Sequence, residues 1–271
     1  NNLPNADIVL LKYSNSGAFQ YRRVYDDAGH AYQYSTNLVV DRNNNVAVAG
    51  YGFITAQGYN IFVLKWTNSG SWQWMSSYNY GNNTFESPHA MVSDSLNNII
   101  VVGQGITATS SNTNDYVTLK YSSTGSLAWS ARYDGGGNVE DKAYAVALDD
   151  SLNVFVTGIS KGSGTDFDIA TVKYNAAGNQ QYVLRYNYTA NRIDNGNAIE
   201  VKNGIIYVTG KSENPQNGDF ITLKYSYAAV GMDEQDPFSS LSAFSSVTAS
   251  SCLRFLPISP RCFSRRNRSD R

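Results

Sequence analysis

Apolar positions in this chain come in short runs, many of them β-branched or aromatic, and each run is broken by a cluster of Gly, Asn and Ser. No stretch keeps a helical spacing of apolar residues long enough to compete, so the runs predict β-strands. Some, such as Ile8 to Leu11 and Ile61 to Leu64, are apolar at successive positions. A strand of that kind is expected to be covered on both faces.

The runs recur. A Lys followed by Tyr or Trp stands at Lys12, Lys65, Lys120, Lys173 and Lys224, with steps of 53, 55, 53 and 51 residues. Five residues before each lysine comes Asp7, Asn60, Asp115, Asp168 or Asp219, and five after the first four comes Gly17, Gly70, Gly125 or Gly178. Four residues past each glycine is Tyr21, Trp74, Trp129 or Tyr182, and eight past is Tyr25, Tyr78, Tyr133 or Tyr186. Positions four apart on a strand share a face. A second signature ends at Gly50, Gly103, Gly158 and Gly210, and three of its four copies contain the turn Asp-x-x-x-Asn (Asp41/Asn45, Asp94/Asn98, Asp149/Asn153). The fourth shortens this turn to Asn203-Gly204, a two-residue hairpin signal. A period of about 50 residues holding four strands predicts a propeller blade.

These units resemble the bacterial β-propeller repeat known as the SBBP or seven-bladed propeller repeat: D-x-x-x-x-K, a turn glycine, W/Y then Y, and a closing V-D-x-x-x-N-V-x-V-T-G. The resemblance covers roughly residues 5–226. It implies an all-β propeller of four-stranded antiparallel blades, about four blades' worth in an apparent fragment, and it says little about activity because propellers carry unrelated functions.

The expected phase makes Ala143 to Asp149 an innermost strand and puts DYVTLKY third and SLAWSARY outermost. On it the chain opens with two outer strands (7–13, 18–25), continues through three blades (33–79, 87–133, 142–188) and ends in an inner group (197–226). Residues 1–227 are thus the repeats and 228–271 a linker and disordered or frame-shifted tail. Val230 to Phe244 resembles the linker before a type IX secretion sorting domain, but the expected continuation is absent, and a frame shift near Phe244 is one reading of the Ser/Arg-rich remainder. The chain starts inside a repeat, without a signal peptide, and is read as a fragment.

Charge and cysteine narrow the class. Net charge is −1, but six of the 21 basic residues and one of the 22 acidic ones fall from Cys252 onward, leaving −6 for the rest. A mildly acidic body argues against a nucleic-acid partner, and no apolar run approaches a membrane span. Both cysteines, Cys252 and Cys262, lie in the tail, so the repeats need no disulfide.

The loops fall into two sets. The SNSG, TNSG, SSTG and NAAG turns share one end of the blades with the Asp-x-x-x-Asn turns, and all are short. The opposite end carries long loops between second and third strands and between blades. Length and sequence vary there, which makes it the expected binding face. Its candidate binding residues are Asp26, Asp27, His30, Tyr80, Asn82, Asn83, Glu140, Tyr188 and Arg192. Gln33, Glu86, Asp141 and Asp194 occupy one repeat position and are expected to cap structure.

Other motifs read as structural. The recurring aromatic pair is expected to pack blade on blade rather than stack on a glycan. The five lysines are expected to be solvated strand ends near carboxylates. Asp41-Arg-Asn-Asn-Asn45 resembles the start of a calcium loop but lacks the following glycine and a twelfth-position acid, so turn capping explains it better. Thr67 to Trp74 is similar to a sialidase Asp-box without the aspartate. Arginines read as not recurring at one blade position, and two isolated histidines, His30 and His89, make neither a triad nor a metal site. No catalytic residue, metal or cofactor is expected.

The functional expectation is a secreted or surface-exposed bacterial binding module for a protein or glycan. The alternatives are an enzyme, either a propeller lyase or glycosidase or an accessory to a catalytic domain outside this chain, and a structural spacer of a large surface protein.

Overall fold

A computed structural model describes residues 7–26, 32–81, 84–106, 113–162, 164–188, 192–213 and 217–226, together with the backbone of 242–245. Every regular element is a strand. The chain opens with an antiparallel pair, β1 (Ile8–Tyr13) and β2 (Phe19–Tyr25). Three complete blades follow: β3 (Gln33–Val40) to β6 (Trp72–Tyr78) through β4 (Val46–Ile54) and β5 (Gly58–Trp66); β7 (Thr84–Ser93) to β10 (Leu127–Tyr133) through β8 (Ile99–Ile106) and β9 (Asn114–Tyr121); and β11 (Gly136–Leu148) to β14 (Gln180–Tyr186) through β12 (Val154–Gly162) and β13 (Phe167–Tyr174). The last sheet orders β15 (Asp194–Lys202), β16 (Ile205–Glu213), β17 (Gly218–Ser226) and β18 (Ser242–Ser245). β18 takes the fourth-strand place beside β17, inside the stretch read from sequence as linker.

Strands within a blade pair antiparallel in chain order, and the first strands of successive blades, β3, β7, β11 and β15, pack against one another. This is the propeller arrangement that the repeat predicted. A two-residue parallel bridge, Gly58 to Thr84 and Tyr59 to Phe85, also joins the first two blades.

Burial follows from position in the stack. Ile61, Phe62, Val63 and Leu64 of β5 are all at most 1% exposed, because blades cover both faces. In β1, by contrast, Ile8 and Leu10 are buried while Val9 and Leu11 are 44% and 48% exposed. The expectation of two covered faces therefore fails for Ile8 to Leu11: only one face of this sheet packs, against Val46, Val48, Phe62, Leu64 and Trp66.

Each first strand carries a bulge at one repeat position, with the extra residue at Thr36, His89, Tyr144 or Asn197. The bulge explains the glycine that closes each signature. A Cβ on Gly103 would lie 2.0 Å from the Ser87 carbonyl oxygen, and one on Gly158 would lie 1.9 Å from that of Lys142. Only a residue without Cβ lets the bulged strand approach this closely. His89 Nδ1 donates to the Ala143 carbonyl at 2.7 Å, and its ring stacks on Tyr144 at 5.5 Å, so it ties two first strands together.

The short-turn end repeats almost atom for atom. Asp41 Oδ1 accepts from the backbone N–H of Asn43 and Asn45, Asp94 from Leu96 and Asn98, and Asp149 from Ser151 and Asn153. These are self-capped turns, as expected for Asx chemistry. In the shortened fourth copy Asn203 and Gly204 have φ of 52° and 73°, as a tight hairpin requires.

Two of the five lysines correct the reading. Lys65 and Lys120 are 1% and 6% exposed, and they pair with Asp41 at 2.8 Å and Asp94 at 3.1 Å. Lys65 also donates to the Asn97 carbonyl in the next blade's turn. These are buried ion pairs at a blade junction, closed over by a neighbour that the local sequence does not reveal.

Candidate functional site

The long-loop end starts from the repeat position occupied by Gln33, Glu86, Asp141 and Asp194, all at most 2% exposed. Asp141 accepts from the Gly135 N–H at 3.0 Å and the Lys161 N–H at 3.1 Å. Asp194 accepts from the Tyr188 N–H at 2.8 Å. In both blades a buried carboxylate thus holds the between-blade loop six residues upstream, which is the capping role. Burial pushes both carboxyls above their usual range, and the hydrogen bonds they accept partly offset it.

A second repeated element departs from the sequence reading. Arg132 and Arg185 stand 53 residues apart at one blade position, and each faces the aspartate that opens its third strand: Arg132 to Asp115 at 3.5 Å, Arg185 to Asp168 at 2.9 Å. Arginine does recur, and the 53-residue step was the available signal. In the first complete blade the same positions hold Ser77 and Asn60, and the Asn60 amide donates to Gln57 instead.

Around Arg132 the network widens. Its guanidinium donates to the Gly105 carbonyl at 2.8 Å, lies 3.9 Å from buried Glu86, and sits 4.0 Å above the ring of Tyr80. Beyond Asp115 are Asp134 and Asp141, and one carboxylate oxygen from each of the three lies within 4.8 Å of the others. Burial, reinforced by the neighbouring charges of Asp134 and Asp141 and opposed by Arg132, raises Asp115 to about 6. As a possible metal set the trio is already engaged: Asp115 faces Arg132, and Asp141 holds two backbone N–H groups.

The residues singled out in sequence are distributed over successive blade junctions. Tyr80 is 54% exposed under Arg132. Glu140 accepts from the Asn114 amide at 3.1 Å and pairs with Lys142 at 2.7 Å. Tyr188 offers its backbone N–H to Asp194 and is 40% exposed, and Asp26 and Arg192 are exposed. Asp27, His30, Asn82 and Asn83 lie outside the described residues.

One cluster was not among them. At the long-loop end of the junction between the first two complete blades, six aromatic rings form a contiguous patch: Tyr32, Tyr34, Tyr51, Phe53, Tyr59 and Phe85. Tyr34 and Tyr51 are cross-strand partners stacked at 5.2 Å, Phe53 and Tyr59 are partners at 5.5 Å, and Tyr32 stacks on Tyr34 at 6.4 Å. Phe85, from the next blade, meets Tyr59 at 5.5 Å and Tyr51 at 5.9 Å. The patch opens to water, with Tyr32, Tyr34 and Phe53 49%, 43% and 41% exposed. Recurrence finds only part of it: Tyr32 and Phe85 share one repeat position, which holds Glu140 and Ile193 in the other copies, and Tyr59 is repeated as Phe167, but Tyr34, Tyr51 and Phe53 do not recur as aromatics. The counterparts of Tyr34 are Ser87, Lys142 and Asn195, and those of Tyr51 are Gln104, Ile159 and Lys211.

No family model matches the chain, and no curated protein matches it. Among solved structures it is similar to an α-L-arabinofuranosidase, CtGH43, from Clostridium thermocellum, with 13% identity over 73% of this chain and 70% of that one and a TM-score of 0.38. That likeness is too distant to bear on activity or on the site.

Proposed function

We propose that the chain is a propeller binding module that engages its ligand, a protein or glycan, through the long-loop end. One observation carries this reading: the two ends of the same strands diverge differently. At the short-turn end the Asp-x-x-x-Asn turns of three blades make the same hydrogen bonds. At the long-loop end, equivalent positions hold Tyr, Ser, Lys and Asn in successive blades. Packing against like neighbours requires repetition, so positions that abandon it are released from packing and available for recognition. Export to the bacterial surface belongs to the same proposal and is supported by the resemblance of the repeats and of residues 230–244.

The test screens the whole chain against immobilised glycans and surface proteins, beside two long-loop variants, Tyr188→Ser with Arg192→Ser and Tyr32→Glu with Tyr34→Ser, and a short-turn variant, Arg42→Ser with Asn68→Ser. Specific binding weakened by at least one of the long-loop variants and untouched by the short-turn variant is expected. Binding that responds only to the short-turn variant removes the proposal.

A further inference from the structure

We infer that the six-ring patch of Tyr32, Tyr34, Tyr51, Phe53, Tyr59 and Phe85 is a stacking platform for a neutral glycan. The inference rests on the long-loop end being the binding face and names the chemistry of what binds there.

The fold does not require these rings. The Tyr59 to Phe85 contact at the first junction is replaced at the second by the hydrogen bond from Asn114 to Glu140, at the same two repeat positions. Blades therefore also join there through a polar pair. Six aromatics gathered where the scaffold accepts Ser, Gln, Asn and Glu are a local addition, and exposed apolar patches of this kind mark interaction sites.

Charge selects the ligand. The patch contains four tyrosines and two phenylalanines and no ionisable side chain that is charged at neutral pH. The equivalent positions of the third blade include Glu140, Lys142 and Lys161. A charged polymer finds no counter-charge among the six rings, whereas a neutral, amphipathic ligand suits rings that pair an apolar face with a phenolic hydroxyl. A pyranose is such a ligand, with a C–H face to lie on a ring and hydroxyl groups at its edge.

Size points the same way. With aromatic side chains of roughly 200 Å² each, three of them 41–49% exposed and three half-buried, the patch offers on the order of 400 Å². A stable protein interface buries about 800 Å² on each partner. The patch suits a few sugar residues better than a folded protein or a second copy of this chain. It is also pre-organised: five of the rings stand on paired strands, and the sixth, Tyr32, lies within 10° of parallel to Tyr34, so little ordering remains for binding.

The experiment is isothermal titration of the full chain with short neutral oligosaccharides of gluco, xylo, manno, galacto and arabino configuration, at low and high salt. The variants copy residues that other blades carry at the same positions: Tyr34→Ser, Tyr51→Gln, and Tyr32→Glu, the last on an exposed ring that the fold can lose. Lys211→Ser serves as a long-loop control outside the patch and Leu96→Ala as a short-turn control, Arg192→Ser tests the other long-loop candidate, and melting temperatures are recorded for all. At least one neutral oligosaccharide should bind, with Kd weakened tenfold or more by Tyr34→Ser and by Tyr32→Glu, unchanged in the controls and insensitive to salt. Undiminished binding in both patch variants overturns the inference. So does binding only by a protein or an anionic polysaccharide, and so does self-association that the patch variants abolish. If binding is instead lost with Arg192→Ser, the glycan platform fails while the long-loop reading stands; if no ligand responds to any long-loop change, both fail.

Discussion

Trp129 roofs the turn glycine of the next blade. Its Nε1 donates to the Ala176 carbonyl at 3.2 Å, and a Cβ placed on Gly178 would lie 2.6 Å from its Cδ2. Gly178 has φ of +89°, a conformation glycine adopts without strain. Trp74 stands in the same relation to Ser123 and Gly125, with a donated bond of 3.0 Å and the same 2.6 Å approach. The recurring indole and the recurring turn glycine are therefore two halves of one contact between blades.

That contact predicts a measurable coupling. Trp129→Ala should cost about 2–4 kcal/mol. Gly178→Ala should cost about 1–2 kcal/mol for backbone strain alone, and more while the indole blocks the new methyl. In the Trp129→Ala background the Gly178→Ala penalty should therefore shrink by about 1 kcal/mol or more. Urea denaturation of the four proteins reads this directly, and strict additivity would show that the ring and the glycine do not press on each other.

Tyr133 joins the second and third blades. Its ring meets Tyr116 edge-on at 5.3 Å, and its hydroxyl accepts from Arg185 Nη1 at 2.9 Å. Tyr133→Ala is expected to cost about 3–5 kcal/mol, and Tyr133→Phe about 1 kcal/mol because only the hydrogen bond goes. An unchanged melting temperature in the alanine variant would rule out the packing role.

Much of this architecture is legible in the sequence, for a physical reason. A strand packed between like neighbours must place Lys120, Gly125, Trp129 and Tyr133 at the same offsets as its copies, so spacing alone reveals the blade. Burial at the junctions is less legible. Lys65 reads as a strand-end cation, and what buries it comes partly from the following blade's turn, through the Asn97 carbonyl. The candidate site is hardest to read because recurrence finds packing residues. Tyr34 and Tyr51 emerge only when strand register shows that residues 17 positions apart are partners.

The buried lysines should behave unlike their counterpart in β1. Lys65→Met leaves Asp41 buried without its cation and is expected to cost about 3–5 kcal/mol. Lys12, whose Nζ reaches the Asn68 carbonyl at 2.7 Å in an exposed setting, should cost at most about 1 kcal/mol when changed to Met. Adding Asp41→Asn to Lys65→Met should recover part of the loss. Equal penalties for Lys12 and Lys65 in denaturant titrations would contradict the buried-pair assignment.

Carboxylates shifted in opposite directions predict a pH profile with a maximum on the acid side of neutrality. Burial disfavours the charged forms of Asp41 and Asp94, but the hydrogen bonds they accept from their own turns and from Lys65 and Lys120 outweigh it, and both are held below the usual carboxylate range. Their contribution is present above the unfolded value near 3.8 and is lost as pH falls through the lower folded values. Asp115 works the other way. With a folded value of about 6 against 3.8 unfolded, the native chain holds more protons in between, so stability falls as pH rises from about 4 to about 6. A shift of that size corresponds to on the order of 2–3 kcal/mol, with Asp141 and Asp194 adding in the same direction. Asp115→Asn removes this group from the balance, so its melting temperature should decline less than that of the parent chain between pH 4 and 6.5. If the two profiles are parallel over that interval, Asp115 is charged throughout and the repulsion among Asp115, Asp134 and Asp141 is relieved some other way.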